Sequence, residues 1–146
     1  MLNELVLGIA VNIAAMFVHL GATMLLVTLI HPYGGWMGDR PRPRLVWAML
    51  TTTIVLFVAH LIEVGVWAAV YLVLARATDL ANAYYAALLN YTTLGYGDVL
   101  RGTTTRLLGP LAAANGIMMF GWSTALLIYV LQGHLPRIIP PKIRDE

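Results

Sequence analysis

The chain has 146 residues, of which 60% are hydrophobic and only 11% are charged. That composition leaves too little polar surface for a water-soluble fold and predicts an integral membrane protein. The sequence has no cysteine, which excludes disulfide bonds and thiolate metal sites. A formal net charge of only +2 gives no reason to expect nucleic-acid binding.

Three apolar segments are long enough to cross a bilayer as helices. The first, Leu5 to Ile30, would be about 39 Å long, against a hydrocarbon core of about 30 Å. The second runs from Leu45 to Leu74 and the third from Arg106 to Leu131. We expect Gly133 and Pro136 to end the third helix, because glycine favours helix ends and proline cannot continue a helix.

A shorter helix is predicted between the second and third segments. It covers Leu80 to Tyr91, and Asp79 is a suitable N-cap because its carboxylate can accept a hydrogen bond from an amide of the first turn. At about 18 Å this helix is too short to cross the membrane. We therefore expect it to be re-entrant, entering the membrane without crossing it.

A glycine-rich loop, YTTLGYGD from Tyr91 to Asp98, follows the short helix. Unpaired backbone groups are costly in hydrocarbon, so an irregular loop at membrane depth must lie inside protein or line a water-filled path. Gly95 and Gly97 can adopt positive φ at little cost. Their alternation with larger residues lets successive carbonyl oxygens point the same way, and a ring of such oxygens can replace the hydration shell of a cation.

The loop and its surroundings resemble the selectivity filter and pore domain of tetrameric potassium channels. The family signature T-V/I/L-G-Y/F-G-D matches Thr93 to Asp98, and residues 45–135 have the family's order of span, short helix, filter and span. The resemblance implies an all-α membrane protein with three transmembrane helices, a re-entrant pore helix and a filter loop per chain. It also implies a homotetramer in the lipid bilayer that conducts K+ passively, without catalysis and with no cofactor beyond the K+ ions in the filter.

The same resemblance assigns roles to the loop residues. Thr93 would bind K+ through its hydroxyl and its carbonyl oxygen at the inner end of the filter. The carbonyl oxygens that continue the row belong to Leu94, Gly95, Tyr96 and Gly97. Thr92 would support the filter, and Asp98 would concentrate cations at the outer mouth. In some small bacterial relatives a pore-helix carboxylate pairs with that aspartate, but Leu89 stands at the corresponding position here.

Three tyrosines of the short helix have two open interpretations. Tyr84, Tyr85 and Tyr91 either brace the filter from outside or only pack the helix against its neighbours. Both interpretations remain open at this point.

The third segment resembles the inner helix of small proton-gated bacterial channels, in which G-I-x-x-F-G-x-x-T-A recurs, here from Gly116 to Ala125. One stripe of that helix, within about 80° at 100° per residue, is assigned to the water-filled cavity and comprises Ile117, Phe120, Thr124 and Ile128. Ile128 and Gln132 would lie near an inner constriction. Gly116 matches the family's hinge glycine; alternatively, Gly116 and Gly121 only let helices approach closely.

Basic residues in the connections predict the orientation. Six lie in the linker of residues 32–44 and the tail of residues 136–146, namely Arg40, Arg42, Arg44, Arg137, Lys142 and Arg144. Three lie on the other side, namely Arg76, Arg101 and Arg106. The positive-inside rule places linker and C-terminus in the cytoplasm and the N-terminus outside. We expect the membrane to be a prokaryotic plasma membrane, with the loop entering from outside.

The first segment, residues 1–31, is an addition to the pore domain, and polar residues share one face of it. That face comprises Gly8, Asn12, His19 and Thr23, and a similar face of the second segment comprises Thr53, His60, Glu63 and Trp67. His19, His60 and Glu63 would lie within about 5 Å of the membrane midplane, where ionisable groups are costly and pair with one another. We predict that the first helix docks on the second through these three residues, with Asn115 as a candidate fourth member.

These polar residues have three open interpretations. They could act as interhelical hydrogen bonds that fix the extra helix, as a proton-sensitive gate, since histidine titrates near physiological pH, or as a metal site. The H-E-x-x-H motif of membrane zinc proteases is absent, so the sequence does not predict an enzyme.

Two other classes of protein share the helix-loop-helix unit. One is a subunit of a K+ transporter, but such chains usually string four imperfect units together, and this chain has one unit with the full signature. The other is a non-conducting membrane sensor that kept the fold. A conductance measurement separates both from a channel.

Overall fold

The computed structural model describes residues 2–30, 41–74, 77–96 and 107–138, which form four α-helices and no strand. The helices are α1 (Leu2–Ile30), α2 (Pro41–Val73), α3 (Leu80–Tyr91) and α4 (Leu108–Ile138). Three of them, α1, α2 and α4, are long and apolar enough to cross a membrane. This confirms the predicted all-α membrane fold with three spanning helices.

The second helix begins earlier than predicted, at Pro41 instead of Leu45. The amides of the first turn of a helix have no intrahelical partner, so Pro41 and Pro43 cost no hydrogen bond there. Arg42 and Arg44, which were assigned to the linker of residues 32–44, therefore belong to the first turn of α2.

The last helix ends later than predicted. It continues to Ile138, so the prediction that Gly133 and Pro136 end it is wrong. A proline inside a helix has no amide for the carbonyl four residues earlier, which here belongs to Gln132. The loss of that bond does not end α4, which continues to Ile138.

The short helix α3 begins and ends at the predicted residues, Leu80 and Tyr91. Asp79 precedes it with extended backbone, and its Oδ1 accepts a hydrogen bond from the Asn82 amide at 2.9 Å. The Thr78 hydroxyl donates to Oδ2, also at 2.9 Å. Because these donors favour the ionised carboxylate, the pKa of Asp79 lies below its ordinary value.

Close packing fixes α3 against α2 and α4. Ala83, Ala86 and Ala87 are buried on α3, and such small side chains let neighbouring backbones approach. The largest fully buried side chains of these three helices include Trp67, Tyr71, Tyr91, Leu108 and Met119. The core therefore lies around the short helix and fixes the place at which its C-terminal end emerges.

The added helix α1 packs against α2 and α4 of the same chain. At Gly8 the contact is so close that a Cβ would overlap Leu111 Cδ1. The Asn12 side-chain amide donates to the Gly8 carbonyl at 2.9 Å and reaches the Leu111 carbonyl at 3.5 Å. His19 is fully buried further along the same face. The predicted polar face of α1 is thus the face that packs within the chain.

Candidate functional site

The TTLGYGD loop, Thr92 to Asp98, starts by folding back onto the end of α3. Its amides donate to the last carbonyls of the helix: Thr92 to Leu88 at 2.9 Å, Thr93 to Asn90 at 2.9 Å and Gly95 to Leu89 at 3.1 Å. The Thr92 hydroxyl also donates to the Leu88 carbonyl, at 2.7 Å. The first half of the loop is therefore anchored to α3 through its amides.

Two residues of this loop have left-handed backbone conformations. Gly95 has a φ of 57°, in keeping with the sequence, and Thr93 has a φ of 66°, which the sequence did not suggest. These are the two positive φ values among the described residues. A β-branched residue with positive φ is an outlier that costs about 1–3 kcal/mol and persists only where its surroundings impose it. Gly97 and Asp98 lie outside the described residues.

The carbonyl oxygens of the loop are used differently from its amides. Within the described part of the chain, the carbonyls of Thr93, Leu94 and Gly95 accept no backbone hydrogen bond. The side chains of Leu94 and Tyr96 are 58% and 70% exposed. The amides of Thr92, Thr93 and Gly95 are thus satisfied by α3, whereas these carbonyl oxygens have no backbone donor among the described residues and can bind another group.

His19, His60 and Glu63 come together as the sequence indicated. His19 Nδ1 lies 2.8 Å from Glu63 Oε1, and His60 Nδ1 lies 3.3 Å from Glu63 Oε2. Because a carboxylate only accepts, the His19 nitrogen is the donor. His19 and Glu63 are completely buried.

Two residues that the sequence did not indicate complete this arrangement. The Tyr91 hydroxyl donates to Glu63 Oε2 and lies 2.8 Å from His60 Nδ1. Ser123 Oγ lies 2.9 Å from His60 Nε2 and 3.4 Å from His19 Nε2. We refer to these five residues, His19, His60, Glu63, Tyr91 and Ser123, as the polar cluster. It joins all four helices, and Glu63 has donors on both of its oxygens.

The candidate fourth member, Asn115, and Thr53 of the predicted polar face of the second helix both lie outside the polar cluster. Asn115 is buried, but its side-chain oxygen accepts from Trp67 Nε1 at 3.2 Å, so it pairs outside the polar cluster. Thr53 is exposed and donates to the Met49 carbonyl of its own helix. The buried threonine is Thr52, because one residue along a helix turns the side chain by about 100°.

The tyrosines of α3 are held by α2. The Tyr84 hydroxyl donates to the Leu61 carbonyl at 2.9 Å, and the Tyr91 hydroxyl donates to Glu63. Tyr85 is 42% exposed. The hydroxyls of Tyr84 and Tyr91 therefore fix α3 to α2, and their hydrogen bonds do not involve the described loop residues 92–96.

The residues assigned to the cavity lie on the exposed face of α4. The exposed residues of this inner-helix stripe are Ile117, Phe120, Thr124, Ile128 and Gln132. Met119 and Ser123 are buried on the opposite face. Phe120 lies at the edge of the stripe, with its ring centroid 4.6 Å from that of His60 and 5.5 Å from that of Tyr91.

Gly116 lies where α4 passes the end of α3. A Cβ at Gly116 would overlap the Tyr91 carbonyl oxygen and lie 2.9 Å from the Tyr91 carbonyl carbon. At Gly121 a Cβ would have no atom of the described chain within 4 Å. Close helix approach therefore accounts for Gly116, and its role as a hinge stays a prediction.

Comparison with known protein families identifies the class. A family model described as "Ion channel" matches residues 59–133, just over half of the chain. The chain belongs to this ion-channel family. Searches of curated proteins and of solved structures found no match.

The match divides this ion channel into two parts. It covers the C-terminal part of α2 from Ala59 onward, all of α3, the TTLGYGD loop and α4 as far as Gly133. Four members of the polar cluster, His60, Glu63, Tyr91 and Ser123, lie inside it. His19 on α1 lies outside, so the added helix supplies the fifth member of the polar cluster.

Proposed function

We propose that this ion channel is a homotetrameric potassium channel of a prokaryotic plasma membrane, with its N-terminus outside and its C-terminus in the cytoplasm. K+ moves passively down its electrochemical gradient through a filter formed by the TTLGYGD loops of four chains. In each chain the hydroxyl and carbonyl oxygens of Thr93 and the carbonyl oxygens of Leu94, Gly95 and Tyr96 are the K+ ligands. Thr92, Gly97 and Asp98 complete the filter and its outer mouth.

The backbone of the loop is the observation that carries this proposal. Positive φ at Thr93 and Gly95 alternates with ordinary φ at Leu94 and Tyr96, and the loop carbonyls lack backbone donors in the described chain. Unpaired carbonyl oxygens at a glycine-rich loop are the groups with which a channel replaces the hydration shell of K+. The C-terminal end of α3 carries partial negative charge and meets the loop at Tyr91, which also favours a cation there.

The inner-helix stripe supports assembly around a central axis. One chain supplies one loop, and closing a ring of carbonyls requires several. Ile117 and Ile128 are 61% and 48% exposed on a helix whose other face is packed. In the tetramer this stripe lines the cavity below the filter, with Ile128 and Gln132 at the inner constriction.

The test is a bilayer recording of the purified channel with K+ on one side and Na+ on the other. We expect a reversal potential near the K+ equilibrium value. We expect Gly95→Ala to abolish the K+ current, because alanine disfavours the left-handed conformation by about 1–2 kcal/mol in each of four chains. A Cβ at Gly95 has no neighbour within 4 Å in the described chain, so the effect would come from the backbone.

Gly21→Ala is the matched control. Gly21 lies in α1, has no positive φ and would also have no neighbour within 4 Å of an added Cβ. It should conduct like the wild type. A non-selective current would contradict the assignment of K+, and no current at any voltage or pH would favour a transporter subunit or a non-conducting sensor.

A further inference from the structure

Tyr91 connects the polar cluster to the TTLGYGD loop. It is the last residue of α3 and is 1% exposed. Its hydroxyl is in the polar cluster, whereas its carbonyl lies against Gly116 of α4. The next two residues are Thr92 and Thr93, where the loop begins. The position of Tyr91 therefore sets the position of the first filter residues.

The loop itself has little else to hold it within the chain. Its hydrogen bonds in the described residues run from its own amides and the Thr92 hydroxyl to carbonyls of α3. Thr93 keeps a positive φ that a threonine adopts only where neighbouring structure imposes it. A fixed end of α3 is the structure that can impose it.

We infer that Glu63 is a positioning residue for the filter, acting through the hydroxyl of Tyr91, and that His19 of the added helix completes this support. The inference rests on the proposed K+ filter. Glu63 Oε2 holds Tyr91, and Glu63 Oε1 is held by His19 at 2.8 Å. A buried carboxylate with donors on both oxygens has one fixed orientation. The added helix thereby supports the filter without lining the pore.

The side chains of His19, His60 and Glu63 could also bind a metal ion, but their ligand atoms are already engaged in hydrogen bonds. His19, His60 and Glu63 have ligand atoms within 4.8 Å of one another. Each ring nitrogen of the two histidines has a polar partner in the polar cluster, at distances from 2.8 to 3.4 Å. A metal ion would have to replace those contacts, so the geometry favours a hydrogen-bonded support.

The decisive variants are Tyr91→Phe and its matched control Tyr84→Phe. Both tyrosines lie on α3, and each donates one hydrogen bond to α2, Tyr91 to Glu63 and Tyr84 to the Leu61 carbonyl. They differ in distance from the loop. When the Tyr91 hydroxyl is removed, His60 Nδ1 remains 3.3 Å from Glu63 Oε2 as a replacement donor, so we expect Tyr91→Phe to fold.

The readouts are the K+/Na+ permeability ratio and the K+-dependent rise in the melting temperature of the tetramer. A filter that binds K+ is stabilised by K+ in proportion to its affinity, so the second readout needs no current. We expect Tyr91→Phe to lower the permeability ratio about tenfold, the size of one lost hydrogen bond to a charged group, and to reduce the K+ effect on melting. Tyr84→Phe should leave both unchanged.

Glu63 and His19 provide the second line of the test. Glu63→Gln keeps one acceptor oxygen, which can serve Tyr91 but not His19 as well, so it should lower the permeability ratio less than Glu63→Leu, which should act as Tyr91→Phe does. His19→Leu should act in the same direction and less than additively with Tyr91→Phe, because both act on one network. Asn12→Ala, which weakens α1 without touching the polar cluster, is the control for helix docking.

The outcomes separate this inference from the proposed function. A wild-type channel that does not select K+ contradicts the filter assignment itself. A K+-selective wild type with equal permeability ratios in Tyr91→Phe and Tyr84→Phe overturns the role of Glu63 alone. Stoichiometric Zn2+ binding to wild type that is lost in His60→Leu would also overturn it, because the cluster would then be a metal site.

Discussion

The TTLGYGD loop and the polar cluster meet at Tyr91 and are built in opposite ways. The loop uses backbone atoms of consecutive residues, and its Leu94 and Tyr96 side chains are exposed in the single chain. The cluster uses side chains from four helices, and its His19 and Glu63 are completely buried. Among the described residues, the carbonyls of Thr93, Leu94 and Gly95 accept no backbone hydrogen bond, whereas Glu63 has donors on both of its oxygens.

The difference indicates where the partners of each region come from. The polar cluster is complete within one chain, so it contributes to the stability of the protomer. The loop has left-handed residues, and its carbonyls have no backbone donor among the described residues. In the proposed tetramer, these carbonyls bind K+ ions together with the carbonyls of three other copies of the loop. In the proposed channel the loop selects the ion, and the shape of the loop depends on the protomer through Tyr91.

The largest stability effect should come from the polar cluster. Glu63→Leu removes the acceptor of both His19 and Tyr91. Removing one partner of a buried charged network lowers the free energy of unfolding by about 3–5 kcal/mol. We expect a large drop in the melting temperature of the purified protein in detergent. Thr53→Val, at an exposed position of the same helix, is the control. An unchanged melting temperature in Glu63→Leu would mean that the cluster does not stabilise the protomer.

A smaller effect should come from the contact between α4 and the end of α3. In Gly116→Ala the new methyl group overlaps the Tyr91 carbonyl, and overpacking of this kind costs about 1–3 kcal/mol. Gly121→Ala, on the same helix with no neighbour within 4 Å in the described chain, should cost little. Melting of the two variants side by side checks this. Equal melting temperatures would argue against close packing at Gly116. The hinge role that the family resemblance assigns to Gly116 is tested separately, by single-channel opening in Gly116→Ala.

The smallest effect should come from the other end of α3. The amide of Asn82 and the hydroxyl of Thr78 hold the pKa of Asp79 below its ordinary value. A lowered pKa stabilises the folded state above the pKa of the unfolded chain, and the stabilisation is lost as pH falls through the folded value. Below about pH 4, the melting temperature of the wild type should therefore decrease slightly. Its advantage in melting temperature over Asp79→Asn should disappear in the same range. A constant difference between the two across this range would contradict the assignment.

Much of the fold follows from apolar length and from local capping. Asp79 and the apolar runs predicted α3 and the three spanning helices. The predicted start of the second helix at Leu45 and the predicted end of the third at Gly133 and Pro136 were wrong, because the cost of a proline depends on its place in the helix. Membrane depth predicted that His19, His60 and Glu63 meet.

Depth alone could not identify the remaining partners in the site. Hydroxyl side chains are common in membrane helices and carry no charge, so depth and charge did not distinguish Tyr91 and Ser123 from the other hydroxyl residues. Ser123 could have been suspected because it faces away from the inner-helix stripe. Asn115 lies at a similar depth, yet it pairs with Trp67, because rotation about the helix axis selects the partner.

The most direct test of the account is the reversal potential of the wild-type channel across a tenfold K+ gradient balanced by an opposing Na+ gradient. A K+-selective filter predicts a reversal potential near the K+ equilibrium value, about 59 mV from zero at 25 °C for one elementary charge. A reversal potential near zero would show that the TTLGYGD loop does not select K+ and would contradict the account.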